Sequence, residues 1–101
     1  MKVLLASLFA AALFAQTLDT GILGTVTDPS GAVIADAVVG ITQTATGVKR
    51  TTKSAADGKF EVRYLNPGEY AIEVQATGFR SARASNIVIQ INQQARLDFS
   101  L

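Results

Sequence analysis

The chain has 101 residues, room for one small domain, carries a formal charge of +1, and contains neither cysteine nor histidine. Their absence excludes disulfides, thiol nucleophiles, the commonest general base and the usual zinc ligands. A near-zero charge also lacks the surplus of Lys and Arg that phosphate binding uses, so no nucleic-acid partner is expected.

In chain order the first element is a leader. Lys2 supplies a positive start, Val3 to Phe14 an apolar stretch, and Ala15 a small residue before Gln16. This predicts a signal peptide over residues 1–15, a short helix removed on export, and a folded domain over residues 16–101. The apolar run is shorter than the about 20 residues that span a bilayer. Removing the leader takes away Lys2 and no acid, leaving eight basic and eight acidic residues. The expected compartment is outside the cytoplasm: periplasm, outer-membrane associated or secreted. Without cysteine no lipid-modified cysteine can follow the leader, and membrane contact is expected only through the signal peptide or a partner.

Beyond the leader, period-two alternation dominates and predicts an all-β domain. Ile22, Gly24 and Val26 share one face of a first strand, with Leu23, Thr25 and Thr27 opposite. Asp28-Pro29-Ser30-Gly31 then supplies a turn. A second strand is expected at Ala37–Thr44, with Ala37, Val39 and Ile41 inward. After Thr44-Ala45-Thr46-Gly47 comes Val48–Ser54, whose Lys49, Arg50 and Lys53 suit an edge strand that discourages pairing with other chains.

Asp57-Gly58 is expected to close a hairpin into a strand with Phe60, Val62 and Tyr64 on one face. Asn66-Pro67-Gly68-Glu69 has the composition of a type II turn. Tyr70, Ile72, Val74 and Ala76 form the buried face of the next strand. Arg80–Ser85 is polar, a short strand or a loop. Asn86–Ile91 and Ala95–Leu101 close the domain, the latter with Ala95, Leu97, Phe99 and Leu101 alternating. Seven antiparallel strands with turns about every ten residues predict a β-sandwich with Greek-key-like connections.

Residues that do chemistry are scarce. Asp28 and Asp57 are explained by turns, and Glu61, Glu69 and Glu73 fall on exposed positions, so no acid–base pair emerges. Asp19, Asp28, Asp36 and Asp57 lack the alternating acidic spacing of a dedicated calcium loop. Phe60, Tyr64, Tyr70, Phe79 and Phe99 read mostly as core aromatics rather than a sugar-stacking face. The cluster Lys49, Arg50, Lys53 reads as a solvated strand face. No catalytic, cofactor or metal residue is assigned, and the chain is read as non-enzymatic.

The order of motifs resembles the carboxypeptidase regulatory-like domain over about Gly21 to Leu101. The residues that carry the likeness are Ile22 to Val26 (Ile-x-Gly-x-Val), Asp28 to Gly31, Ala37 to Val39, Gly58 to Phe60, Pro67 to Tyr70 (Pro-Gly-x-Tyr) and Ala76 to Phe79. Ala35-Asp36 departs from it, since a Pro-Gly or similar pair often stands there. The resemblance implies a transthyretin-like (prealbumin-like) sandwich. It implies no peptidase activity, because the family is named for a neighbouring domain.

A leader followed by such a domain is similar to the front end of a TonB-dependent outer-membrane receptor, although the chain stops at the last strand, before any plug or barrel. The resemblance therefore implies a non-catalytic accessory or interaction module whose partner is a protein, with no small-molecule substrate. The alternative is a cell-surface adhesion or carbohydrate-binding module. An isopeptide cross-link from a first-strand lysine is not expected, because no Lys lies between Lys2 and Lys49.

Overall fold

The computed structural model describes residues 19–101; the expected signal peptide, residues 1–15, lies outside the described residues. Within them every regular element is a strand: β1 (Gly21–Thr27), β2 (Val38–Gln43), β3 (Lys49–Lys53), β4 (Lys59–Val62), β5 (Gly68–Gln75), β6 (Ala82–Ile89), β7 (Gln94–Arg96) and β8 (Phe99–Ser100). One sheet has the order β4-β1-β7, with β8 also paired to β1; the other has the order β3-β2-β5-β6. β4 therefore lies beside β1 only after the β2–β3 hairpin has been built in the opposite sheet.

Alternation places the core. Ile22 and Val26 from β1, Val39 and Ile41 from β2, Phe60 and Val62 from β4, and Tyr70, Ile72 and Val74 from β5 all belong to one buried cluster. Ile89 and Phe99 join it from the C-terminal strands, and the rings of Phe60 and Phe99 meet at 6.3 Å between centroids, tilted by 43°. With no disulfide available, burial of these side chains, each contributing about 1.5–3 kcal/mol, is the main stabilising term.

Four features differ from the expectation of seven antiparallel strands. β1 pairs with β7 and β8 in parallel, and the C-terminal alternating segment is two strands, so there are eight. The register is the same on both sides of the break at Leu97-Asp98: Leu23 faces Arg96 and Val26 faces Phe99. At the break the Asp98 carboxylate accepts the Thr25 amide at 2.9 Å, replacing a ladder carbonyl.

Second, the polar stretch from Arg80 is not separate from Asn86–Ile91. Most of it enters β6, which holds one extra residue opposite Ala71, with Asn86 in the left-handed region at φ 58°.

Third, Asp57-Gly58 does not join two strands of one sheet. Ala55 donates to the Lys59 carbonyl at 2.8 Å and Gly58 has φ 79°, yet β3 and β4 go to opposite sheets. Ser54 makes this corner: buried, it donates through Oγ to the Ile34 carbonyl at 2.7 Å and accepts the Ala37 amide at 2.9 Å.

Fourth, the Asn66–Glu69 segment is a bend rather than a type II turn. Gly68 has φ 149° and already opens β5, whereas a type II turn needs about +80° at that position. The Tyr70 hydroxyl reaches back to the Asn66 carbonyl and ties the bend to the core.

Candidate functional site

Carboxylates are the only general acids or bases among the expected candidates, and the fold uses most of them locally. Asp28 Oδ1 accepts the Ser30 hydroxyl at 2.6 Å and the Ser30 and Ala32 amides at 2.9 and 3.0 Å. The Ser30 hydroxyl first, and those amides after it, hold this carboxyl below its usual value. Asp57 accepts the Lys59 amide at 3.0 Å, and Glu69 accepts the Asn86 side-chain amide at 2.8 Å.

Asp19 pairs with Arg63 at 3.0 Å, and the hydrogen bond from that guanidinium lowers its pKa. Asp19, Asp28, Asp36 and Asp57 do not converge, and among the described residues no group of three or more acids, histidines or cysteines is placed to hold a metal ion.

The strand edges differ sharply. Among the described residues β3 pairs only with β2, and it carries Lys49, Arg50 and Lys53. β6, at the opposite edge, runs into a stretch with no charged residue between Arg83 and Arg96. Val88, on its outer face opposite Glu69, is 63% exposed, and Ile91 in the following turn is 58% exposed. Nothing in the strand pattern around Asn86–Ile91 marked this edge, because Ile87 and Ile89 do face the core and Val88 sits between them.

A third surface lies on the other side of the sandwich, where β3 of one sheet faces the end of β4 in the other. Alternation after Phe60 and Val62 would bury Tyr64. Instead Tyr64 takes the left-handed conformation at φ 60° and is 62% exposed, while Leu65 enters the core and donates its amide to the Thr20 carbonyl at 2.9 Å. The signal was present in two adjacent apolar residues, Tyr64 and Leu65, of which a strand can bury only one.

The Arg63 guanidinium sits over the Tyr64 ring, 5.5 Å from its centroid. Arg50 spans the gap between the sheets, donating to the Arg63 carbonyl at 3.1 Å. Together with Gln43, Val48, Asn66 and Tyr70, Arg50 and Tyr64 line a recess of about 60 Å³. Burial raises the Tyr70 phenol pKa, with Arg50 and the bond to Asn66 acting the other way.

Residues 21–101 match the profile of the carboxypeptidase regulatory-like domain. The chain belongs to that family. Among solved structures, this regulatory-like domain is similar to the dioxygenase domain of a dioxygenase carbohydrate-binding protein fusion from Streptomyces sp. SirexAA-E, with 13% identity and a TM-score of 0.63 over 85% of this chain and 80% of that one. It is also similar to a chain of a type II cohesin–X-dockerin complex from Acetivibrio cellulolyticus, with 17% identity and a TM-score of 0.63, covering 79% of this chain and 52% of that one.

A third likeness is to 3-chlorocatechol 1,2-dioxygenase from Rhodococcus opacus 1CP, at 12% identity and a TM-score of 0.61 over 84% of this chain and 60% of that one. The regulatory-like domain thus spans only about half of the Acetivibrio chain. At these identities the likeness is one of fold, and fold alone assigns no activity.

Proposed function

We propose that this regulatory-like domain is a non-catalytic interaction module of an exported protein, acting outside the cytoplasm. The observation that carries the reading is the use made of four of the eight carboxylates: Asp28, Asp57 and Asp98 accept backbone amides, and Asp19 is held by Arg63. A general acid or base must be free to reach a substrate, and these groups are already engaged in holding turns, a strand break and the chain's entry into β1.

The protein partner is best accommodated along β6. Strand addition draws its affinity from backbone hydrogen bonds and its specificity from alternate side chains, and lysine-bearing edges resist it. The cation-bearing β3 is the resistant edge, whereas β6 offers Val88 and uncharged neighbours. The leader-like start at Lys2 and the family membership support a place beside an outer-membrane receptor of the TonB-dependent kind, as an accessory to plug and barrel.

Non-catalysis is tested by incubating the protein, purified after export, with ester, peptide and glycoside substrates and by titrating it calorimetrically with calcium and zinc. The reading expects neither turnover nor stoichiometric metal binding. Turnover that scales with protein concentration would overturn it.

A further inference from the structure

Among the described residues, four other than glycine occupy the left-handed region: Asp36, Asn86, Asn92 and Tyr64. Three are the types whose short polar side chains tolerate that conformation; a tyrosine there is a true outlier. Inserting Leu65 into the core requires the backbone to turn at this point, but it does not require a tyrosine. Glycine or asparagine would make the same turn with less strain, so the ring is what the position adds.

The ring is also prepared. Arg63 holds one face, and that guanidinium is itself fixed by Asp19 at 3.0 Å, with Glu61 at 3.9 Å. Beside the ring, Arg50 makes no ion pair among the described residues and is oriented by the Arg63 carbonyl. Gln43 is held through Oε1 by the Thr46 hydroxyl at 3.1 Å. An aromatic plate, two amide side chains and a positioned guanidinium therefore converge on a recess of about 60 Å³.

We propose that this cleft is a saccharide-binding site, in which a pyranose ring packs against Tyr64 while Gln43, Arg50 and Asn66 bind its hydroxyls and the recess takes one small substituent. Amides both donate and accept, which suits hydroxyl groups that do the same. An anion would call for convergent cations, but Arg63 is already committed to carboxylates. A proline-rich peptide would call for an aromatic-lined groove, and one exposed tyrosine beside so small a recess does not make one. The site goes beyond the protein-binding role of β6, which lies at the opposite edge of its sheet from β3.

The test is amide-resolved NMR titration of the exported protein with cellohexaose, xylohexaose and chitohexaose at millimolar concentration, repeated with a proline-rich decapeptide. At least one sugar should shift the amides of Gln43, Arg50 and Leu65. Tyr64→Gly should raise the denaturant midpoint, because it relieves the left-handed backbone, while weakening that sugar roughly tenfold or more. Tyr64→Trp should retain binding. The proposal is overturned if no sugar moves these amides, if Tyr64→Gly binds as the parent does, or if the peptide alone moves them.

Discussion

Ser54 Oγ donates to the Ile34 carbonyl at 2.7 Å and so bridges the approach to β2 with the end of β3, at the corner where the chain leaves one sheet for the other. The same oxygen accepts the Ala37 amide, so one hydroxyl satisfies two backbone groups beside the core. Replacing it with alanine leaves both without this partner; the Ala37 amide is buried, and a buried unsatisfied group costs about 1–3 kcal/mol, while the Ile34 carbonyl is part-buried. Ser54→Ala is therefore expected to lower the urea midpoint clearly, with the slope unchanged. Ser54→Thr, which keeps the hydroxyl, should lose less.

Asp98 performs a related task with a side chain instead of a strand. Its carboxylate accepts the Thr25 amide at the point where β7 and β8 separate. Asp98→Ala should cost about 0.5–1.5 kcal/mol, the usual net worth of one hydrogen bond, and Asp98→Asn should cost less because an acceptor remains. Amide hydrogen exchange at Thr25 checks the assignment: it should accelerate in Asp98→Ala relative to the parent.

The break at Leu97 also dictates the residue opposite. A Cβ built on Gly24 would lie 1.7 Å from the Leu97 carbonyl oxygen and 2.9 Å from the Phe60 ring, so nothing larger than hydrogen fits without moving backbone. Gly24→Ala should cost more than about 2–3 kcal/mol, the upper end of ordinary substitutions. Gly47→Ala meets no atom within 4 Å and should lose only the roughly 1–2 kcal/mol of its left-handed backbone at φ 74°. Comparing the two denaturant midpoints separates crowding from backbone strain.

On the acid side, Asp28 is the group to follow. Its carboxyl lies below its ordinary value of 3.8, first because of the Ser30 hydroxyl and then because of the Ala32, Ser30 and Gly31 amides. A lowered folded value means that the unfolded chain binds the proton more readily. The contribution to stability is therefore fully present above pH 3.8 and is lost as pH falls below it through the folded value. Asp28→Asn should reduce stability at neutral pH, and the gap from the parent should close as pH drops through that window.

Much of the fold was legible because its inward residues alternate. Ile22/Gly24/Val26, Ala37/Val39/Ile41 and Tyr70/Ile72/Val74 are buried as their spacing predicts. Sheet membership was not legible. Asp57-Gly58 has the composition of a hairpin turn, but Ser54 directs β3 and β4 to opposite sheets through contacts distant in sequence. Parallel pairing of β1 with β7 and β8 likewise leaves no local mark. At the cleft, alternation placed Tyr64 inward because it extended the period of Phe60 and Val62 by one step too many. The competing claim of Leu65 on the core decides the matter, and that competition is resolved only in three dimensions.

The central claim, that the domain works by offering β6 to a protein partner, is tested most directly by site-specific photo-crosslinking in the exporting cell. A photoreactive residue replacing Val88 should give a discrete adduct with one envelope protein, while the same residue replacing Lys53 on β3 should give none. Adducts at position 53 without any at position 88, or no adduct at either position, would contradict the account.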